Sequence, residues 1–301
     1  MARQPKGRLI NGILILDKPT GMSSNHALQR VKRMFGARKA GHTGSLDPLA
    51  TGLLPICLGE ATKFSQFLLD ADKRYQTTAQ LGVRTDSSDA DGKVVETKPC
   101  EHITVTDVEA QLPQFRGLIS QVPSMFSALK HQGQPLYKLA RAGKTVAVKP
   151  RQVTIHNLEL LSFKYSQVRM DISCTKGTYI RSIVEDLGLA LDCGAHVAQL
   201  RRLQAGPFVA EQMVTLEDLQ GIIDEATQGQ VVEAGQWPDI TPAFSMLDQL
   251  LIPADTAVLS LNAVQLPAHE IEALQQGKVI DHATEYAPFD VVRVYNSLAS
   301  D

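Results

Sequence analysis

The 301-residue sequence is informative first for what it leaves out. Its four cysteines (Cys57, Cys100, Cys174 and Cys193) include no C-x-x-C pair. That spacing fits neither a zinc site nor a disulfide scaffold, and it points to reduced thiols in a cytoplasmic protein. Long apolar runs are missing too. The stretch Leu9–Leu16 contains Asn11 and stops at Asp17-Lys18-Pro19, so it is neither a signal peptide nor a membrane span. There is no G-x-S-x-G elbow, phosphate-binding P-loop, H-E-x-x-H or dinucleotide fingerprint. His26, His131, His156 and His196 lack ligand spacing, and Cys193 with His196 is a lone Cys-x-x-His. The segment Thr85–Gly92 (TDSSDADG) fails as a calcium loop. Aligning Gly92 with the EF-hand glycine puts Ser87 at the first ligand position and Lys98 at the bidentate glutamate position. No metal and no cofactor are therefore expected.

What is present is a soluble globular composition, 44% hydrophobic, 21% charged and 5% aromatic. The length suits two domains of roughly 150 residues each. The net charge is −2, but it is unevenly spread. Residues 1–40 carry nine Lys/Arg and one acid, Asp17, whereas residues 201–301 carry four Lys/Arg and fifteen Asp/Glu. Within the near-neutral middle, residues 121–151 hold Lys130, Lys138, Arg141, Lys144, Lys149 and Arg151 with no acid. Two basic segments on a weakly acidic chain suit a polyanion-binding face, or else two solvated basic surfaces.

One stretch stands apart: Gly41-His42-Thr43-Gly44-Ser45-Leu46-Asp47-Pro48-Leu49-Ala50-Thr51-Gly52. Its three glycines and its proline disqualify it as a helix interior or a central strand. Pro48 pushes Asp47 into an extended or turn conformation. The segment is a shaped loop presenting one carboxylate, or an ordinary Asp-Pro turn. A lone aspartate is ionised at neutral pH and can act as nucleophile or base without a metal. It needs shelter from water and an orienting partner, for which Arg181 is the best candidate.

Along the chain, Leu9–Leu16 reads as a buried strand and residues 23–35 as a capped helix ending at Gly36. A strand follows at Lys73–Val83, a short helix at Asp107–Leu112, and a strand at Val168–Cys174 continuing towards Arg181. If that continuation is extended, Tyr179 and Arg181 share a face. A helix is expected from about Ser182 to Leu191. Short helices are expected at Thr215–Gln220 and Gly221–Gln230, with a connector at Gln236–Leu251. From Pro253 the pattern turns to short strands and one small helix, at Ala257–Leu261, Ala268–Gln276 and Val291–Tyr295. The expected fold class is α+β on a mixed β-sheet, with a first domain over 1–250 and a small β-rich domain over 251–301.

The segment GHTGSLDPLATG resembles the catalytic motif of the TruB family of tRNA pseudouridine synthases. The resemblance extends in order through LILDKPTGMSSN at 14–25, KRYQTTAQLGVRTDSSDADG at 73–92 and QVPSMFSALKHQGQPLYKLARAG at 121–143. It continues through SCTKGTYIRSIVEDLG at 173–188 and GAHVAQLRRL at 194–203. More weakly, residues 253–301 resemble the family's PUA RNA-binding domain, and the chain end at Asn296–Asp301 suggests an incomplete one.

The resemblance implies isomerisation of uridine 55 in the T arm of tRNA: C1′–N1 breaks, the uracil turns, and C1′ rejoins at C5. It implies Asp47 as the catalytic aspartate, whether by attack on the sugar, attack on the base or proton removal from C2′. Tyr75 would stack on the extruded uracil, and His42 would fill its vacated place in the T loop. Tyr179 and Leu200 would line the base pocket, Arg181 would pair with Asp47, and Lys18 and Pro19 would support the site. The basic segment at about 121–151 would be a thumb-like RNA-binding loop carrying Lys130, Lys138, Arg141 and Lys144. A cytoplasmic monomer acting on tRNA, with no membrane and no obligate protein partner, is expected. A tRNA-binding folding helper without chemistry and a carboxylate-dependent hydrolase are the competing readings.

Phosphate contacts make RNA affinity salt-dependent, each worth about one in the slope of log affinity against log salt. Neutralising Lys130, Arg141 and Lys144 together should weaken tRNA binding and flatten that slope by roughly two to three. Filter binding across salt concentrations checks this, and an unchanged slope moves the RNA face elsewhere.

Overall fold

The structure, a computed structural model, describes residues 7–127, 129–228, 230, 239–281, 286–287 and 290–297. By contacts the chain divides into two compact units, Met1–Ala254 and Asp255–Asp301.

The strands of the first unit are β1 (Gly12–Lys18), β2 (Ala40–His42), β3 (Thr51–Leu58), β4 (Lys73–Leu81), β5 (Val83–Thr85), β6 (Val94–Thr97) and β7 (Gly117–Gln121). They continue with β8 (Lys130–His131), β9 (Gln134–Pro135), β10 (Arg151–Lys164), β11 (Gln167–Cys174), β12 (Ala195–Ala205) and β13 (Phe208–Val209). Its α-helices are α1 (Ser24–Met34), α2 (Ser65–Asp70), α3 (Val105–Gln111), α4 (Leu136–Arg141), α5 (Ile180–Ala190), α6 (Leu216–Ala226) and α7 (Phe244–Asp248).

Among the described residues, nine strands form one mixed sheet with the main order β1-β3-β12-β4-β11-β10-β7; β2 also pairs with β3, and β13 with β12. Every pairing in it is antiparallel except β3 with β12, which runs parallel through Thr51–Arg201 and Gly52–Arg202. On β4 the alternation is plain: Lys73, Thr77, Ala79 and Leu81 are buried and Arg74 is exposed. The buried face receives α5, which packs on β12 and β4, while α1 covers β2 and β3. The opposite face is polar. There Arg74 and Gln76 donate to the buried carboxylate of Asp171, and Arg201 pairs with Asp17.

Helix α1 starts where Ser23 accepts a hydrogen bond from the His26 amide, and it buries Ala27, Leu28, Val31 and Met34 at helical spacing. Helix α6 runs unbroken through Gly221, where two short helices were expected; the capping box of Thr215 and Asp218 starts it and one mid-helix glycine does not end it. The basic stretch after Gln121 is a small hairpin, β8–β9, followed by α4, whose Leu136 and Leu139 are buried.

In the second unit, β14 (Ala263–Leu266) and β15 (Arg293–Asn296) pair in parallel, with α8 (Ala268–Gln275) between them in sequence. The strand expected at Ala257–Leu261 is not formed there. Residues Ala254–Val258 are a 3₁₀ helix that buries Ala257 and Val258, and the strand begins at Ala263. The expectation about the chain end falls mostly on residues 298–301, outside the described residues.

The parallel contact depends on a glycine. Gly52 has φ +94°, and a Cβ there would collide with the carbonyl oxygen of Arg202. Gly52→Ala should therefore cost at least about 1–3 kcal/mol of stability. A urea titration should show a lower midpoint with an unchanged slope; an unchanged midpoint would contradict the close approach.

Candidate active site

The segment between β2 and β3 is held by hydrogen bonds to its backbone. The Ser24 hydroxyl accepts from the Leu46 amide at 2.8 Å and donates to the Leu46 carbonyl at 3.0 Å. The Gly21 amide donates to the Pro48 carbonyl at 2.8 Å. The Lys18 ammonium, fully buried, donates to the carbonyls of Met22 at 2.7 Å, Pro19 at 2.8 Å and Pro48 at 3.3 Å. Thus Asp47 sits between two anchored neighbours, and its own side chain stays 40% exposed.

Its partner is Arg181, whose Nε lies 3.1 Å from Asp47 Oδ2 while its side chain is only 4% exposed. The sequence suggested a strand here. Instead β11 ends at Cys174, Gly177 turns the chain at φ +79°, and Tyr179 caps α5. Arg181 therefore lies in the first turn of a helix. Its Nη1 donates to the Ser87 carbonyl at 2.9 Å and lies 3.6 Å from Asp89 Oδ2, and its Nη2 donates to the Phe126 carbonyl at 3.0 Å. Asp89 is itself buried and accepts from the Ser87 hydroxyl at 2.5 Å.

A cavity of about 350 Å³ opens beside Asp47, and Tyr75, Tyr179, Arg181 and Leu200 line it together with Lys73 and Arg202. A larger groove of about 840 Å³ lies over the polar sheet face, lined by residues such as Gln76, Arg169 and Gln199 and by no carboxylate. Of these two, the smaller cavity joins a carboxylate to a guanidinium and two aromatic rings.

The electrostatics follow from burial. Desolvation raises the Asp47 carboxyl above the ordinary 3.8, with Arg181 and Lys18 pulling it back and Asp89 pushing it further up. Burial brings the ammonium groups of Lys18 and Lys73 down to about 8; Arg202 adds to this, and Asp47 opposes it at Lys18. Burial also raises the Tyr75 phenol, against the pull of Arg202.

His42 does not line the cavity. It ends β2 half-buried, with Nδ1 buried and without a hydrogen-bond partner among the described residues, and burial lowers its pKa. Lys18 and Pro19 stand behind the aspartate loop rather than in the cavity. Lys130, Lys138, Arg141 and Lys144 are exposed and apart from it. Their segment is nonetheless tied to the site: the Gln121 side chain bonds the Tyr179 amide and carbonyl, and Ser182 donates to the Val122 carbonyl.

Asp89, Lys73 and Arg202 escaped the sequence reading. Asp89 sits in TDSSDADG, which looks like a solvated turn. For Arg202, the available signal was an arginine among the inward-facing residues Val197, Leu200 and Ala205. Among the described residues, no three His, Cys, Asp or Glu side chains gather closely enough to hold a metal ion. None of the described helices is long and apolar enough to cross a membrane.

Comparison with known proteins finds relatives in sequence and in fold. Residues 32–180 match the model of the TruB family pseudouridylate synthase N-terminal domain, and residues 181–259 that of the tRNA pseudouridylate synthase B C-terminal domain. The chain is 52% identical over 294 residues to tRNA pseudouridine synthase B of Shewanella frigidimarina (strain NCIMB 400), covering 98% of this chain and 89% of the relative. It is 52% identical over 280 residues to the protein of that name from Vibrio cholerae serotype O1 (strain M66-2), covering 93% and 86%. Among solved structures it resembles a chain of a Cbf5-Nop10-Gar1 complex, with TM-score 0.66, 28% identity and coverage of 88% of this chain and 67% of that one. It also resembles a chain of an H/ACA RNP bound to a substrate RNA containing 2′-deoxyuridine, with TM-score 0.65, 25% identity and coverage of 93% and 74%.

The pair Asp47–Arg181 has a direct test. Loss of the guanidinium should let desolvation dominate, so Arg181→Met should raise the Asp47 carboxyl pKa further. Carboxyl carbon NMR titration reads this, and an unmoved or lowered value would contradict the pairing. In the unaltered protein Asp47 should take up its proton, as the pH falls, at a higher pH than a free aspartate does.

Proposed function

The chain belongs to the TruB family of pseudouridylate synthases, isomerases that turn uridine into pseudouridine, and within it we propose that this protein acts on uridine 55 in the T loop of tRNA. The observation that carries the reading is the Asp47–Arg181 pair at 3.1 Å in the wall of a cavity that Tyr75, Tyr179 and Leu200 complete.

The reaction conserves every atom. The C1′–N1 bond breaks, the uracil turns within the site, C1′ bonds to C5, the C5 proton leaves and N1 ends protonated. The proposal gives Asp47 the reactive role as a carboxylate. Attack on C1′, attack on the base and removal of the C2′ proton all start from the ionised form, which Arg181 favours. The half-open side chain suits this role, because one oxygen faces the guanidinium and the cavity side remains reachable.

The substrate base must leave a folded loop, at a cost of a few kcal/mol. Stacking on Tyr75 returns roughly 1–3 kcal/mol, which is comparable. Tyr179 and Leu200 would bound the same base. His42, whose pKa its burial lowers, would take the vacated place in the T loop. The exposed cations Lys130, Lys138, Arg141 and Lys144 would meet the RNA backbone. The proposed setting is the cytoplasm, with the protein acting as a monomer. A folding helper that binds tRNA without chemistry would have no use for a carboxylate fixed beside a cavity.

Asp47→Asn keeps the shape and removes the charge. With unmodified tRNA, binding should stay within about threefold, and pseudouridine formation should fall by roughly 10²–10⁴-fold or to background. Site-resolved pseudouridine detection with product mass measurement decides it. Near-normal turnover would exclude Asp47, and release of free uracil would indicate a hydrolase.

A further inference from the structure

Arg202 is a buried cation without an acid. It is 1% exposed, yet among the described residues no carboxylate oxygen lies within the 4.0 Å of an ion pair. Its neighbours show the contrast: Arg201 pairs with Asp17 on the opposite sheet face, and Arg181 has Asp47 and Asp89. The groups around Arg202 add like charge, since Lys18, Lys73 and His42 all feel its field. A guanidinium removed from water in such company is costly, and an apolar side chain of similar volume would often serve the fold as well or better.

What Arg202 does hold is backbone. Its Nε donates to the Leu53 carbonyl at 2.6 Å and its Nη2 to the Gly44 carbonyl at 3.0 Å. Gly44 lies three positions before Asp47, and Leu53 is the third residue of β3, the strand that follows the loop. One planar fork thus grips both ends of the aspartate segment. Directly across the β4–β12 ladder, Arg202 is the register partner of Tyr75, on the same face as Leu200. The positive charge of the guanidinium opposes the burial that raises the Tyr75 phenol. Gly44, at φ +71°, leaves room for this grip: a Cβ there would stand 3.2 Å from Arg202 Nη1.

We propose that Arg202 is a positioning residue for the isomerisation, fixing the distance between the Asp47 loop and the Tyr75 ring by tying both to β12. The proposal rests on the functional reading above. Its action runs through Gly44, Leu53 and Tyr75. It takes no proton and forms no bond. Lysine cannot replace it, because an ammonium lacks the rigid fork that reaches separate carbonyls at once.

The test uses the full chain with Arg202→Lys, and with Gly44→Ala as an independent displacement of the same grip. Thermal melting, RNA affinity and single-turnover pseudouridine formation are measured for each. For Arg202→Lys, cooperative melting and RNA affinity within about threefold should persist while the single-turnover rate falls about 10²-fold, the usual cost of misplacing reacting groups by an ångström. Gly44→Ala, with Arg202 intact, should show the same split between binding and rate. A folded Arg202→Lys with a rate within about threefold of the unaltered protein overturns the proposal. So does a loss of RNA affinity in step with rate, or failure of both variants to fold, since either marks Arg202 as structural only. An unaltered protein that forms no pseudouridine overturns the functional reading, and this proposal with it. An active one with an unaffected lysine variant overturns only the role of Arg202.

Discussion

A guanidinium taken out of water must find acceptors for donors that point along a plane in several directions. Arg181 meets that demand with four groups from three separate stretches of chain: Asp47 from the glycine-rich loop, the Ser87 carbonyl and Asp89 from the turn after β5, and the Phe126 carbonyl from the segment after β7. Much of the local architecture follows. The TDSSDADG turn is folded inward, with Ser87, Ser88 and Asp89 buried, because one of its carbonyls and one of its acids are needed there. The basic segment cannot leave the site at its root, because Phe126 and Val122 are bonded to the start of α5.

The aspartate loop is shaped differently, by buried cations that bind its carbonyls. Lys18 reaches Pro48 from one side and Arg202 reaches Gly44 and Leu53 from the other. Cations on carbonyls leave the single carboxylate unmatched except by Arg181. The carboxylate faces an open cavity, with the cations Arg181 and Lys18 favouring its charged form against burial and the nearby Asp89. That is a favourable place for a substrate that carries phosphates and a base able to bear negative charge.

Strands with uninterrupted alternation or continuous apolar runs were legible in the sequence: β1, β4 and β11 fall close to where their patterns put them. The two longest strands, β10 and β12, were not. Both carry register shifts, between Ile155 and Asn157 and between Leu160 and Ser162 in one, and between Val197 and Gln199 and between Arg202 and Gln204 in the other. Each bulge inserts a residue and breaks the period of two that marks a strand. The cavity-lining side chains Asp47, Tyr75, Tyr179, Arg181 and Leu200 could be named because their motifs resemble a family. Composition or spacing alone would have left Tyr75 a half-buried strand residue. Arg181 was placed on a strand because nothing local announces that Gly177 turns the chain. Asp89, Lys73 and Arg202 stayed hidden because their meaning lies in contacts across the sheet.

The strand order carries a consequence for biosynthesis. β12 lies between β3 and β4, so the strand that joins the two halves of the sheet is among the last of the first unit to be synthesised. A nascent chain that has emerged as far as β11 has Asp47 and Tyr75 but no Arg181, no Arg202 and no bridge between their strands. It can form the β1–β3 pair and the β4–β11–β10–β7 ladder as separate pieces, each with an open edge facing the gap. Such a chain cannot hold a partly working centre while translation continues. Closure of the gap by β12 joins the sheet and assembles the cavity in one late event, so a ribosome stalled before that point would leave an inert chain with two unpaired strand edges for the cell's quality control to find.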